Sequence, residues 1–171
     1  MVRDFFIDLN NSKASEQIVL DTFAALAPQY SFQDVSYNRE YYHKGDIKAV
    51  AADGHETFIE VKQDGRIAET TNVLLEDKIH YHYNNNITKG NLHSDYEIYV
   101  VVSPQKHKAI VMDFEVLKAH CREGNYKTIP HYDQTTYAYL LPLARIEELG
   151  GIIAIVDYEN NEITYKRREN L

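Results

Sequence analysis

Two strand-length runs, Gly45 to Ala52 and Glu56 to Lys62, flank the dipeptide Asp53-Gly54. Asp-Gly between apolar runs signals a hairpin, because both residues accept the positive φ a tight turn needs. Other strand-length segments surround this pair. Phe32 to Tyr37 precedes it, and Val73 to Tyr83, Tyr96 to Ser103, Lys108 to Met112 and Thr136 to Leu141 follow. Ile152 to Tyr158 and Glu162 to Lys166 form a last hairpin across Asn160-Asn161. Within Val73 to Tyr83, alternation turns Val73, Leu75, Ile79 and Tyr81 one way and Glu76, Lys78, His80 and His82 the other, with a bend at Asp77. Asn84 to Asn91 reads as loop.

Three segments read as helices. Ser12 to Ala27 has Ser12 as N-cap, Pro28 as its stop and an apolar stripe of Val19, Leu20, Phe23 and Leu26. Asp113 caps a second helix running to Glu123, ended by Gly124. Pro142 opens a third, closed by Gly150. The expected fold is α/β, a mixed central sheet flanked by helices, as one domain over residues 1–171.

Composition agrees. Of 171 residues, 44% are hydrophobic and 26% charged, which is ordinary for a globular chain and excludes a disordered one. The best apolar run, Gly151 to Val156, is far short of the roughly 20 residues of a membrane helix. Met1-Val2-Arg3-Asp4 sets an acid before a short apolar patch, unlike a signal peptide. A single cysteine, Cys121, excludes an internal disulfide and a cysteine-based zinc site, and points to a reducing cytoplasm. Eighteen basic residues against 26 acidic ones give a net charge of −8, which argues against a tight, non-specific nucleic-acid coat.

The Asp53-Gly54 hairpin carries the chemistry. A two-residue turn sets Asp46 opposite Val61, and a three-residue turn sets it opposite Lys62. In either register Asp46 lies beside Glu60 and Lys62, which share one strand face. Two carboxylates this close repel unless a cation sits between them. A hard divalent ion, Mg²⁺ or Mn²⁺, suits oxygen donors such as Asp46, Glu60 and the Val61 carbonyl. Lys62 then orients an attacking water or neutralises a phosphate, a division of labour suited to phosphodiester hydrolysis. Glu16 lies on the apolar face of its helix, which the attraction of a helix N-terminus for acids does not explain.

Gly45-Asp46-Ile47 followed by Ile59-Glu60-Val61-Lys62 resembles the PD-(D/E)XK motif of restriction-endonuclease-like nucleases. Gly45 stands where that motif has proline. The stretch Arg66 to Glu76, Asp95-Tyr96 opening a buried strand, and Phe114 to Leu117 on a helix resemble small bacterial and phage members. The resemblance spans roughly residues 12 to 120. It implies a restriction-endonuclease-like fold and a DNA endonuclease in which Asp46 and Glu60, with Glu16 from the preceding helix, bind Mg²⁺ or Mn²⁺ while Lys62 positions water. A homodimer is the implied state, since duplex cleavage needs two cuts.

Beyond the motif, Arg66, Thr70, Thr71 and Asn72 are phosphate donors in a polar turn. Tyr37, Tyr41 and Tyr42 offer stacking surfaces, and Lys166-Arg167-Arg168 a short basic end. Two other readings are kept: a catalytically silent nuclease-fold binding module, and a zinc site from His80, His82 and Glu76. Because Asp46, Glu60 and Glu16 account for only part of the −8, DNA contact is expected to be local, weak and metal-assisted.

Overall fold

The computed structural model describes residues 5–167, and side chains from Asn11 to Arg167. The chain opens with α1 (Phe5–Leu26), then β1 (Ser31–Asp34), β2 (Ile47–Val50), β3 (Glu56–Gln63) and a one-turn helix α2 (Ile67–Thr70). A long hairpin follows, β4 (Asn72–Tyr81) and β5 (Asn86–Lys89). Next come β6 (Ile98–Ser103), β7 (Lys108–Asp113), α3 (Phe114–His120), β8 (Asn125–Pro130) and β9 (Gln134–Pro142). The chain ends in α4 (Leu143–Glu148), β10 (Ile152–Asp157) and β11 (Glu162–Lys166).

Seven strands form a mixed sheet in the order β1-β2-β3-β6-β7-β10-β11. Only β3 and β6 run parallel, so the polar turn, α2 and the β4–β5 hairpin are the crossover between them. One face of this sheet packs on α1 through Val19, Ile47, Ile59, Val61, Val100 and Val102. The other face packs Tyr96, Tyr99, Met112, Phe114, Leu117 and Ile146, which brings α3 and α4 against it. A large mixed sheet flanked by helices is thus the observed architecture.

The structure departs from the sequence expectation in instructive places. α1 extends back to Phe5, so Ser12 is no N-cap but an exposed mid-helix residue whose hydroxyl donates to Glu16 (3.4 Å). β1 stops at Asp34, where Ser36 folds back on the Asp34 carboxylate. Asp113 caps α3 as expected, accepting from the Glu115 and Val116 amides. Four strands leave the main sheet altogether and form a second, antiparallel sheet, β5-β4-β9-β8. Two of them, β5 and β8, lie in asparagine-rich or mostly exposed segments that carry no alternation signal. Cross-strand pairing to β4 and β9 makes them strands, an effect local pattern cannot show.

The bend at Asp77 is a β-bulge: Glu76 pairs with Ala138 but Lys78 pairs with Tyr137. One extra residue moves every later side chain to the other face. Val73 and Leu75 therefore share a face with Lys78 and His80, whereas Ile79 and Tyr81 share the face of Leu74 and Glu76. The expected single inner face does not exist. Gly90 fits the bulge closely, since a Cβ there would lie 2.2 Å from the Glu76 carbonyl oxygen.

Candidate active site

The hairpin of β2 and β3 places the motif residues, in a register that differs from both expected ones. Ile47 pairs with Ile59, and the connection spans Ala51 to His55. The Ala51 amide bonds to the His55 carbonyl and the Gly54 amide to the Ala51 carbonyl, so the turn takes in two residues before Asp53 and one after Gly54. That shift sets Asp46 against the Ile59–Val61 stretch of β3, where the Glu60 charge reaches it. Gly45, at φ 126°, makes the approach possible: a Cβ there would lie 2.7 Å from the Ile59 carbonyl oxygen. This close approach is why glycine, rather than proline, fits before the acid.

Asp46 is anchored at both ends. Its amide donates to the Ile59 carbonyl (2.9 Å), and its Oδ2 accepts from the Val61 amide (2.9 Å). Ile59 C=O and Val61 N–H both point to the β2 edge, so the Val61 carbonyl points there too, beside Asp46. Glu60 and Lys62 stand on the opposite face from Ile59 and Val61 and form an ion pair with Nζ–Oε1 2.6 Å. Tyr99 of β6 pairs with Glu60 in the parallel ladder, and its hydroxyl donates to the Leu74 carbonyl (3.2 Å).

Electrostatics mark this hairpin end. Burial, reinforced by the Glu60 charge, raises the Asp46 carboxyl to about 6, against lowering by the Val61 amide and Lys62. Burial opposes the Lys62 charge, but Glu60 outweighs it and holds the ammonium above its ordinary value. Glu16 is 3% exposed and is raised by burial, with the Asp46 charge adding to it. Its carboxylate is held by Lys13, which also reaches Asp34 (3.3 Å), Ser36 and the Tyr37 ring (4.0 Å). The neighbouring Ser15 hydroxyl donates to Gln63 Oε1 (2.8 Å), fixing α1 over the end of β3.

Asp46, Glu60 and Lys62 are thus brought together, and Glu16 comes close enough for its charge to be felt. Among the described residues, no three His, Cys, Asp or Glu side chains are grouped to hold a metal ion. The donors that fit a hard cation are the Asp46 and Glu60 carboxylates and the Val61 carbonyl, an all-oxygen set of the kind Mg²⁺ prefers. Arg66 is exposed at the start of α2. The donors of Thr71 and Asn72 both turn back to the Thr70 carbonyl (2.8 Å each), so they serve the turn. Tyr37 and Tyr42 are 73% and 76% exposed, while Tyr41 packs on Phe58.

The bulge separates Glu76 from His80, placing them on opposite faces of β4. His80 bonds Asn85 (2.8 Å) and His82 bonds Thr135 (2.8 Å). The geometry does not assemble the zinc trio. Lys166 and Arg167 lie at the end of β11, where Arg167 bonds the Gly150 carbonyl (2.9 Å), and Arg168 lies outside the described residues.

Sequence reading missed Lys13, Tyr99 and the cleft that Tyr99 lines. Lys13 carried a signal, since it precedes Glu16 by one helical turn. The cleft carried none. It is a cavity of about 370 Å³ between the two sheets, lined by Lys62, Asp64 and Tyr99 on one wall and Glu76, Ile129 and Thr136 on the other.

Among the described residues no helix is long and apolar enough to cross a membrane. No protein-family profile matches the chain, and no curated protein sequence matches it. Two solved structures share part of its path. A bacterial homing endonuclease overlaps with a TM-score of 0.47 and 11% identity, covering 78% of each chain. A nuclease from a fusselovirus overlaps with a TM-score of 0.39 and 9% identity, covering 87% of this chain and 93% of its own. At this distance the overlap transfers no residue's role to the present chain.

Proposed function

We propose that the chain is a metal-dependent endonuclease of the PD-(D/E)XK class, hydrolysing DNA phosphodiester bonds. One observation carries the reading: Asp46 is pinned against β3 by the Ile59 carbonyl and the Val61 amide, within reach of the Glu60 charge, and Lys62, paired to Glu60, lines the cleft. Asp46, Glu60 and the Val61 carbonyl would hold Mg²⁺ or Mn²⁺, with Glu16 contributing directly or through water. When bound, the ion supplies Lewis acidity and lowers the pKa of a water. The chain's own part is positioning. The Val61 amide orients the Asp46 carboxylate, and Glu60 holds the Lys62 ammonium where it can bind water or a non-bridging phosphate oxygen. Tyr99 walls the site and limits water beside Glu60.

Incubation with plasmid, single-stranded and branched DNA and Mg²⁺ tests this. Cleavage abolished by chelator and by Asp46→Asn supports it. No cleavage of any substrate, together with no divalent-ion binding by calorimetry, overturns it. Light scattering tests the accompanying homodimer reading.

A second reading draws on the pairing of Glu60 with Lys62 and of Glu16 with Lys13, which neutralises two acids without an ion. On that reading the chain is a catalytically silent binding module. Asp46→Ala then raises stability and changes neither metal binding nor activity.

A further inference from the structure

We infer that the cleft-facing side of the four-stranded sheet reads base edges in a duplex DNA groove, and so sets which sequence reaches the hairpin site. The inference rests on the nuclease reading only for the second half of that statement. Its first support is geometric. Leu74, Glu76, Ile129 and Thr136 line the cavity opposite Lys62. Register places Tyr81, Asn86 and Gln134 in one cross-strand row on that same face, and Ile79, Thr88 and Thr136 in the next. Lys127 pairs with Ala138 on the same side. The wall that faces Lys62 therefore continues outward as a polar sheet surface.

The second support is charge. In a chain of net charge −8, register puts one acid, Glu76, and one lysine, Lys127, on the cleft-facing side, while Lys78, Lys89 and His80 lie on the other face. Glu76 lines the cleft. Beyond it, the β8–β9 turn adds one acid, Asp133, near His131. The chain's negative charge is thus kept off this surface, as a polyanion requires. What replaces it is amide, hydroxyl and aromatic chemistry: Asn86 is exposed, Gln134 and Thr88 are half-buried, and Tyr132 at the β8–β9 turn is 98% exposed. Asn and Gln pair bidentately with adenine edges, and apolar side chains such as Ile79 meet thymine methyls. The DNA major groove admits a two-stranded antiparallel ribbon.

The test separates reading from cutting. Cleavage of a randomised duplex library in Mg²⁺ should yield a preferred sequence. Asn86→Ala/Gln134→Ala should relax that preference about tenfold or more at one or two positions. Duplex binding by Asp46→Asn protein, followed by anisotropy, should show a log–log salt slope that Lys127→Ala reduces by about 1. Lys78→Ala/Lys89→Ala, on the opposite face, should leave that slope unchanged. The thermal transition of each variant confirms folding at these exposed positions. If wild type cuts but the Asn86/Gln134 variant keeps the full preference, the inference fails and the nuclease reading stands. If nothing is cut but duplex binding depends on these residues, the nuclease reading fails and the sheet's role stands. Absent duplex binding, or tighter binding to single strands or RNA, overturns the inference.

Discussion

The two sheets of this molecule use polar residues in opposite ways. At the β2–β3 hairpin of the seven-stranded sheet, charged groups are few, half-buried and coupled. Asp46 is held by a backbone amide, and Glu60 is paired with the Lys62 ammonium. Across the cleft, the outer half of the four-stranded sheet carries mostly neutral polar side chains, exposed or half-buried, joined by a few short-range hydrogen bonds such as His80–Asn85 and His82–Thr135. Burial makes the first region costly to build and able to perturb its own acids. Exposure leaves the second inexpensive to change, so it can vary without unfolding the protein. On the proposed function and the further inference, chemistry and recognition occupy separate frames that meet at one cavity.

The largest effect that sharpens this contrast is on activity. Asp46→Asn should lower Mg²⁺-dependent cleavage by about 10³-fold or more, measured under single-turnover conditions. A loss of less than about tenfold would break the assignment of the hairpin as the chemical centre. Next is Gly45→Ala, which combines a positive φ with a contact to the Ile59 carbonyl. It should cost about 3 kcal/mol in urea unfolding, as strained and overpacked sites do. An unchanged midpoint would show that the hairpin edge is less tightly built than described.

The third effect is a pH dependence in the presence of chelator. The Asp46 pKa is raised from 3.8 to about 6, so the folded state favours the protonated form. Its contribution is present in full below about pH 4 and is lost as pH rises through 6, on the order of 2–3 kcal/mol. Denaturation at pH 4.5 to 7.5 measures the slope, and Asp46→Asn should flatten it. A carboxylate stabilised by its neighbours would give the opposite sign. The smallest effect lies on the other sheet. Ile87 is 60% exposed on β5, and Ile87→Ala should change stability by no more than about 0.5 kcal/mol. A cost near that of a core deletion would mean the outer sheet is packed rather than open.

Much of the candidate site was legible in the chain. Asp53-Gly54 declared a hairpin, and the i, i+2 spacing of Glu60 and Lys62 placed both on one face, because strand period is a local property. Glu16 was correctly placed on a buried helix face for the same reason. The register was not legible. A connection of five residues rather than two or three paired Ile47 with Ile59 and set Asp46 against the Ile59–Val61 stretch, and that length is set by turn hydrogen bonds at Ala51 and Gly54. The site's assignment as metal ligands remains with the proposed function.

The second sheet was the least legible part. β5 and β8 lack alternation, and the face of Ile79 depends on a single extra residue at Asp77. The sequence by itself determined the α/β class, the hairpin, the capping of α3 by Asp113 and the candidate acids, all of which follow from local periodicity and local hydrogen bonding. Only the tertiary structure decided that four strands leave the main sheet, that Tyr99 and Lys13 stand beside the acids, and that the bulge turns Glu76 and Ile79 to one face, on the side of the cleft across from Lys62. Those outcomes depend on pairing between residues distant in the chain, where the free energy of burial and cross-strand hydrogen bonding outweighs what any short segment prefers.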